Sequence, residues 1–284
     1  MRVAVVQIGY SDEESMADRV RRVAALVRGL GGHDLVVLPE LWSAGGFAYR
    51  RWAERAEPVD GGSVASALAK AGRAAGVVLH AGSIVERSPI PGPEGKHLWN
   101  TSLVFDRDGR ELARYRKIHR FGFADGEPSL MEAGEDVVVV DLPLGTAPAT
   151  DVDPSDAALP AAVRTGLSTC YDLRFPELYR AQLDLGAEMF VVPAAWPAAR
   201  VGHWNLLARA RAVENQCLLI ACNTVGTHAR AQMGGHSCVV LPTGEVIAEA
   251  GDDETILSVD LDPGIVAQTR ASFPVLADRR LPPR

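Results

Sequence analysis

Three side chains have the types needed for nucleophilic catalysis, and each follows a strand-like run. Glu40 ends the run DLVVLPE, Lys117 ends YRK, and Cys170 ends RTGLSTC. A thiol needs a base to become a nucleophile, and a nearby cation or amide group stabilises the oxyanion that its attack produces. No histidine has an obvious claim as the partner of Cys170, so a carboxylate such as Glu40 is the candidate base.

Each of these residues also has an ordinary structural interpretation. Glu40 could be the first polar residue after a strand, Lys117 a surface lysine and Cys170 a buried thiol. Ligands of helix-covered sheets bind beyond the carboxyl ends of the strands, so the joint occurrence of all three favours a site. A cysteine–histidine hydrolase in which Glu40 is only structural is an alternative.

The segment after Cys170 predicts a strand–turn–helix elbow. Tyr171 and Asp172 are typical of a turn, and a helix begins near Pro176 because proline is favoured at first helical positions. Such an elbow directs backbone amides and a helix dipole at the thiol, which favours a thiolate and then an oxyanion. Asp172 is therefore interpreted as a turn residue rather than a catalytic one.

The other cysteines and the histidines do not indicate a metal site. Cys217 and Cys222 lie in or beside the apolar run LLIAC, where a buried thiol acts as a small hydrophobic side chain. Four histidines lack HExxH or other metal-ligand spacing, namely His80, His97, His228 and His236. The chain itself offers a base, a nucleophile and a cation, so we expect no metal and no cofactor.

Composition limits the classes of partner. The 284 residues are 47% hydrophobic and 23% charged, and the net charge of −7 argues against general binding to nucleic acid or anionic membranes. No apolar stretch approaches the roughly 20 residues of a membrane-spanning helix, and the N-terminal MRVAVVQIGY lacks the pattern of a cleavable leader. We therefore expect a cytoplasmic protein with free thiols that acts on a small molecule.

The first part of the chain alternates strands and helices. Ser11–Glu14 has the form of a capping box for a helix whose apolar face spans Met16–Leu30 and which ends at Gly31-Gly32. A second helix, Ser63–Ala75, is predicted to be capped by Ser63. The strand-like runs are Arg2–Ile8, Asp34–Leu38 and Val77–Ala81. This order predicts an α/β protein with a largely buried sheet.

The remainder adds hairpins, strands and two helices. The turns Asp108-Gly109 and Pro242-Thr243-Gly244 each join two strand-like runs. Helices are predicted from Pro176 and across His203–Asn215, and further strands at Val137–Leu142, Arg164–Thr169, Met189–Pro193, Leu218–Asn223 and Thr255–Leu261. No repeat divides residues 1–284, so one domain is predicted. The connection Leu144–Ala162 lacks an apolar period, and we interpret it as a flexible insertion rather than a lid.

Three blocks of sequence surround the candidate residues. They are LVVLPELW around Glu40, YRKIHRFGF around Lys117 and STCYDLRFPELYR around Cys170. With the blocks in this order, the chain resembles the nitrilase superfamily of carbon–nitrogen hydrolases. The resemblance extends from end to end through the later runs VVPAAWPAARVGHWNLLARARAVENQ, MGGHSCVVLPTGEVIAEAG and FPVLADRR. Members of this superfamily use a Glu–Lys–Cys triad. The main departure is the long 144–162 connection.

The resemblance implies a role for each residue of the triad. Glu40 would accept the thiol proton and later activate water, while Cys170 would attack the carbonyl carbon and form a thioester. Lys117 and the backbone amide of Tyr171 would hold the oxyanion of the tetrahedral intermediates. The resemblance therefore implies hydrolysis of an amide with release of ammonia.

The family also keeps a second glutamate after the lysine block. Glu127 fits this place best because Gly134 follows at the expected distance, while Glu132 and Glu135 are rivals. Such a carboxylate would orient Lys117 and help to position substrate.

The same blocks supply candidate substrate contacts. They are Trp42, His119, Phe121, Arg174 and Trp196. Aromatic side chains in such numbers usually belong to the core. His119 could equally make an orienting hydrogen bond, and Arg174 could support the elbow instead of touching substrate.

The resemblance also implies the fold and the assembly. The fold would be a nitrilase-like, four-layer α-β-β-α sandwich with two sheets packed face to face. A homodimer or higher homo-oligomer would form through the helix near Pro176 and the C-terminal segment at about residues 263–284.

The runs CYDLRFPEL and PAAWPAARxxHW are most similar to the branch that contains omega-amidases. An omega-amidase hydrolyses the terminal amide of 2-oxoglutaramate or 2-oxosuccinamate to the 2-oxo acid and ammonia. Deaminated glutathione amidase is the runner-up, followed by a nitrilase or an N-carbamoyl amide hydrolase. A catalytically silent scaffold is the non-enzyme alternative, and the intact Glu–Lys–Cys set argues against it. Candidate cations for a substrate carboxylate are His119, Arg120 and Arg174.

Overall fold

The computed structural model describes residues 1–123, 125–143 and 161–281. The strands are β1 (Arg2–Gln7), β2 (Leu35–Val37), β3 (Val78–Arg87), β4 (Leu98–Phe105), β5 (Glu111–Arg116), β6 (Val139–Pro143), β7 (Ala162–Leu167), β8 (Met189–Pro193), β9 (Leu218–Cys222), β10 (Thr227–His228), β11 (Ala231–Gln232), β12 (Cys238–Val240), β13 (Val246–Glu249) and β14 (Thr255–Asp260). The α-helices are α1 (Met16–Arg28), α2 (Tyr49–Arg55), α3 (Ser63–Ala75), α4 (Glu127–Leu130), α5 (Pro176–Asp184), α6 (Val201–Asn215) and α7 (Ile265–Ser272). Short 3₁₀ helices cover Cys170–Arg174, Ala198–Arg200 and Val275–Asp278.

Two six-stranded sheets form the centre of the protein. The first has the strand order β14-β1-β2-β3-β4-β5, and the second has the order β13-β12-β9-β8-β7-β6. Strands β1, β2 and β3 are parallel, as are β7, β8 and β9, whereas the outer strands pair antiparallel. The connections after β2 and β7 therefore leave the carboxyl ends of parallel strands, where ligands commonly bind.

Alternate side chains of β1 belong to different cores. Val3 and Val5 lie in the core between the two sheets, together with Val163 of β7. Ala4 and Val6 lie in the core on the other face of the first sheet. Successive residues of a strand point to opposite faces, so residues 3–6 of this strand are all apolar because both faces are buried there.

Helices cover the outer face of each sheet. Val23 of α1 and Leu68 of α3 pack into the outer core of the first sheet. Tyr179 of α5 and Trp204 of α6 pack with the second sheet. The resulting layers are helix, sheet, sheet and helix, so the predicted α-β-β-α fold class is confirmed.

Two helix starts differ from the predictions. Ser15, not Ser11, is the N-cap of α1, because its hydroxyl accepts the backbone N–H three residues later at 3.1 Å. Ser63 lies inside α3, and its backbone N–H donates at 2.9 Å to the carboxylate of Glu57, which also accepts the next N–H. Helix α1 also ends before the predicted glycine pair. In each helix, a side chain other than the predicted cap accepts hydrogen bonds from the first backbone amides.

Both predicted hairpins are present, but helices α2, α4 and α7 were not predicted. Trp52 is the one buried residue of α2 and Val266 that of α7, so neither helix shows a wide apolar stripe. The predicted insertion at 144–162 lies outside the described residues except at its end, where Ala162 begins β7. No helix in the described part of the chain is long and apolar enough to cross a membrane.

Candidate active site

The three candidate residues meet where the two sheets face each other. Glu40 follows β2 and Lys117 follows β5 in the first sheet, whereas Cys170 follows β7 in the second. Their exposed fractions are 3%, 2% and 7%, and all three line one cleft. The site is therefore assembled across the interface between the sheets.

A close contact between β3 and the segment around Glu40 fixes the backbone there. Strand β3 has an irregular register just before Ser83, and Gly82 within it has a φ of +68°. A Cβ atom at Gly82 would lie 1.8 Å from the carbonyl oxygen of Pro39, so only glycine fits at this position. The backbone N–H of the residue after Glu40 donates to the hydroxyl of Ser83 at 3.1 Å. Strand β3 thus holds the turn that carries the carboxylate.

The ammonium of Lys117 lies between two buried carboxylates. Its Nζ donates to Oε1 of Glu40 at 2.7 Å and to Oε2 of Glu127 at 2.8 Å. The side-chain amide of Asn100 donates to Oε1 of Glu40 at 2.8 Å and to Oε1 of Glu127 at 2.6 Å. The second oxygen of Glu40 accepts the backbone N–H of Ala195 at 2.9 Å. These bonds compensate for the lost hydration of the buried charges.

The charges of the cluster hold Lys117 in its protonated form. Burial alone would lower the pKa of Lys117, but the charges of Glu127 and Glu40 raise it well above its ordinary value. Burial raises the pKa of Glu127, Lys117 opposes this rise, and the charge of Glu40 adds to it. Lys117 is thus a fixed positive charge.

The thiol of Cys170 is protonated in the resting site. Burial, followed by the charge of Glu40, raises the pKa of Cys170 well above its usual range, although Lys117 acts in the opposite direction. A side-chain hydrogen bond to Glu40 raises it further. The thiolate predicted from the elbow is therefore not the resting form, because the elbow is a five-residue 3₁₀ turn beside a carboxylate. The Glu40 carboxylate is hydrogen-bonded to the thiol and is therefore placed to accept its proton.

Aromatic side chains form the walls of the cleft, which encloses about 420 Å³ of space, part of it open to solvent. The ring centroid of Phe121 lies 6.1 Å from that of Phe47 and 5.3 Å from that of Tyr171. Burial, followed by the charges of the two carboxylates, raises the pKa of Tyr49 to about 12. The Tyr49 hydroxyl therefore stays protonated and can donate a hydrogen bond into the cleft.

Two guanidinium groups also line the cleft. Arg174 lies 4.7 Å from the ring centroid of Trp196, and Arg200 lies 5.9 Å from that of Phe121. A nitrogen of Arg174 is 3.3 Å from Nδ1 of His203. Neither arginine forms an ion pair with any carboxylate of the described residues, so both are available to an anionic ligand.

Trp42 and His119 do not line the cleft, contrary to the prediction. Trp42 is fully buried in the outer core of the first sheet, and its indole N–H donates to the carbonyl of Ala81 at 3.0 Å. The ring of His119 stacks on Phe175 at 3.7 Å, and its Nδ1 lies 2.7 Å from Oδ1 of Asp172. The remaining predicted contacts do line the cleft, namely Phe121, Arg174 and Trp196.

Neither rival glutamate reaches the cleft. The carboxylate of Glu132 accepts the backbone N–H of Lys96 at 2.7 Å, and Glu135 is exposed. Gly134, which supported the choice of Glu127, donates its N–H to the carbonyl of Lys117 at 2.8 Å. The other three cysteines are buried free thiols outside the cleft. Within the described ranges, no group of three or more histidine, cysteine or acidic side chains could hold a metal ion.

Three polar residues of the site were not predicted from the sequence. Asn100 lies in β4, where a polar residue in a fully buried strand was the available signal. Tyr49 begins α2, in a segment with no clear period. Arg200 lies in the run PAAWPAAR, whose arginine was not singled out.

Comparisons with known proteins agree over nearly the full chain. A family model described as carbon-nitrogen hydrolase matches residues 2–271. The 2-oxoglutaramate amidase of Paenarthrobacter nicotinovorans is 42% identical over 278 residues, which are 98% of this chain and 89% of that protein. The crystal structure of Saccharomyces cerevisiae Nit3, a member of branch 10 of the nitrilase superfamily, has a TM-score of 0.81 and 29% identity over 99% of this chain and 97% of that chain.

A further solved structure concerns an active-site cysteine. It is a glutamate-to-glutamine mutant of the amidase from Nesterenkonia sp. AN1, and it shows the Michael addition of acrylamide at that cysteine. The match has a TM-score of 0.75 and 27% identity over 98% of this chain and 99% of that chain.

We predict that alkylation of Cys170 by iodoacetamide accelerates about tenfold per pH unit and reaches no plateau below about pH 9, because only the thiolate reacts and its pKa is raised. Glu40→Gln removes the negative charge that raises this pKa, so its profile moves to lower pH. Mass spectrometry measures the label on Cys170. Glu132→Gln, which changes a buried glutamate outside the cleft, is the control. An unshifted profile for Glu40→Gln contradicts the prediction.

Proposed function

The chain belongs to the carbon–nitrogen hydrolase family, and from this premise we propose that it hydrolyses the terminal amide of a short ω-amide acid such as 2-oxoglutaramate. The observation that carries the proposal is the ammonium of Lys117 held between two buried carboxylates in the cleft that contains the thiol of Cys170. A relative that is 42% identical is named 2-oxoglutaramate amidase, and yeast Nit3 is named omega-amidase. These names support the substrate class.

In the first half of the proposed reaction, the thiol proton of Cys170 moves to Glu40 while the sulfur attacks the carbonyl carbon of the amide. The carbonyl oxygen becomes an oxyanion, which Lys117 and the backbone N–H of Tyr171 stabilise. When the oxyanion collapses, the C–N bond breaks and Glu40 returns the proton to the nitrogen. Ammonia leaves, and the acyl group remains as a thioester on Cys170.

In the second half, a water molecule attacks the thioester. Glu40 accepts a proton from the water, and Lys117 again stabilises the oxyanion. The C–S bond then breaks, and Glu40 gives the proton to the departing sulfur of Cys170. The acid product loses its own proton to ammonia in solution, so one amide and one water give one carboxylate and one ammonium ion.

Glu127 orients the ammonium in this mechanism. Its Oε2 accepts from Nζ of Lys117 at 2.8 Å, and its Oε1 accepts from Asn100 at 2.6 Å. A second carboxylate prevents Nζ from moving fully onto Glu40, which would make that carboxylate a weaker base. Glu127 thereby supports both the oxyanion contact and the proton transfer to Glu40.

The acid end of the substrate binds at Arg174 and Arg200. The catalytic cluster has two carboxylates for one ammonium, so it repels a substrate carboxylate, whereas the two guanidinium groups attract one. Arg120, an earlier candidate, pairs with Glu94 at 2.7 Å and does not line the cleft. Arg200 takes its place in the proposal.

Several alternatives lead to different outcomes of the same assays. Deaminated glutathione is a longer amide with a carboxylate, whereas nitriles and N-carbamoyl amides change the reacting bond. A catalytically silent scaffold would release no ammonia from any of them. The complete cluster of Glu40, Lys117 and Cys170 supports an active enzyme.

We predict ammonia release from 2-oxoglutaramate and succinamate by the wild-type protein, and none above background by Cys170→Ala. The matched control is Cys238→Ala, which removes a buried thiol outside the cleft and retains the wild-type kcat. Full activity of Cys170→Ala contradicts the mechanism. A large preference for deaminated glutathione over both ω-amides favours that alternative.

We predict that Arg174→Gln and Arg200→Gln each raise KM for succinamate by about 10-fold or more, the loss typical of one charge-assisted hydrogen bond. KM for butyramide stays unchanged because butyramide has no carboxylate. Arg120→Gln is the control for loss of a positive charge outside the cleft. Equal kcat/KM of the wild-type protein for succinamate and butyramide contradicts the carboxylate contact.

We also predict a cytoplasmic homodimer. Helix α5 and the C-terminal segment border an open groove in which Leu185 and Leu281 are 48% and 85% exposed, and such apolar exposure supports contact with a second copy. The four free thiols support a reducing compartment. Light scattering after gel filtration measures the mass, and the mass of one chain at micromolar concentration contradicts the dimer.

A further inference from the structure

Asp172, two residues after Cys170, accepts four hydrogen bonds. Its Oδ1 accepts the backbone N–H of His119 at 2.9 Å and the ring Nδ1–H of the same residue at 2.7 Å. Its Oδ2 accepts the hydroxyl of Tyr115 at 2.7 Å and the backbone N–H of Thr169 at 2.8 Å. Asp172 has no exposed surface and does not line the cleft. The predicted turn role accounts for the Thr169 bond alone.

The donors come from both sides of the site. Tyr115 and His119 lie two residues before and two residues after Lys117, on the first sheet and the loop that leaves it. Asp172 itself follows β7 of the second sheet. One carboxylate therefore joins the segment that carries the ammonium to the segment that carries the thiol.

The backbone at Cys170 needs this restraint. Its φ of +49° is left-handed, a strained conformation for a residue with a Cβ atom, and such strain persists only where the surroundings hold it. Thr169 and Asp172 form a reciprocal capping box around the turn. The hydroxyl of Thr169 also lies 3.0 Å from that of Ser102 on the first sheet.

We propose that Asp172 is a positioning residue that fixes the distance between the Lys117 ammonium and the Cys170 thiol, and the direction of the Tyr171 amide. A carboxylate suits this task because its two oxygens together accept four donors. An asparagine accepts at one atom only, so the two donors that share the replaced oxygen lose their partner. The stacking of His119 on Phe175 holds the imidazole in the required orientation. This inference rests on the proposed amidase reaction for its effect on turnover.

The test is Asp172→Asn in the full-length protein. A displacement of about 1 Å between reacting groups costs on the order of 100-fold in rate, so kcat for the ω-amide falls about 10- to 100-fold. KM stays within about twofold, because the groups proposed to bind the acid end are not among the partners of Asp172. Iodoacetamide labelling of Cys170 at fixed pH slows about tenfold, because Lys117 no longer stabilises the thiolate.

Variants of the donors separate positioning from loss of stability. Tyr115→Phe lowers kcat less than Asp172→Asn does, and the two effects are less than additive because both variants weaken one hydrogen-bond network. His119→Asn keeps a donor near the place of Nδ1 and retains most of kcat, whereas His119→Leu does not. If Asp172→Asn does not fold, the same measurements on Tyr115→Phe and the two His119 variants test the positioning role.

Tyr179→Phe is the matched control. It removes an equally buried tyrosine hydroxyl whose partner is Ser168 at 2.8 Å, so it lowers stability but keeps kcat and the labelling rate. The proposal is overturned if Asp172→Asn keeps kcat and labelling within twofold of wild type, or if the effects of Tyr115→Phe and Asp172→Asn are additive. The labelling needs no amide substrate, so it decides this proposal even if the wild-type protein releases no ammonia.

Discussion

The site depends on keeping one ammonium charged inside the protein. Lys117 is 2% exposed, and removal of an ammonium from water costs several kcal/mol unless the charge is paired and hydrogen-bonded. Contacts at 2.7 and 2.8 Å to two carboxylates compensate for this cost. The two carboxylates would repel each other, and the amide of Asn100 reduces that repulsion by donating to both. Loss of any one member leaves a buried charged group with fewer hydrogen bonds.

Two sheets are needed to bring the thiol to this charged cluster. Lys117 and Asn100 come from the end of β5 and from its neighbour β4, and the backbone N–H of Lys117 donates to the carbonyl of Asn100 at 2.9 Å. Glu40 follows β2 of the first sheet, and Cys170 follows β7 of the opposite sheet. A single sheet covered by helices has no second layer of strands to deliver Cys170. Apolar runs buried on both faces, such as VAVV at residues 3–6, are the sequence consequence of that interior.

The sequence predicted the features that depend on residue type and local spacing. Strands, hairpins and the resemblance to the nitrilase superfamily belong to this group and are confirmed. It could not predict Asn100, whose contact with Glu40 crosses 60 positions of the chain. Trp42 was misjudged because Leu41, with a φ of +44°, turns the chain and sends Trp42 to the outer core. The cap at Glu57 was missed because the carboxylate lies outside the usual capping position.

The charge balance of the cluster bears on product release and substrate orientation in the proposed reaction. With the thiol protonated, two carboxylates face one ammonium, so the cluster has one negative charge in excess. The reacting amide of the substrate is neutral and suffers no repulsion there, whereas the carboxylate product is repelled as soon as it ionises. The same excess charge disfavours a substrate bound in reverse, with its acid end at Cys170. In the proposed reaction Arg174 and Arg200, which line the cleft, attract the acid end, so their distance from the thiol would select the length of the substrate.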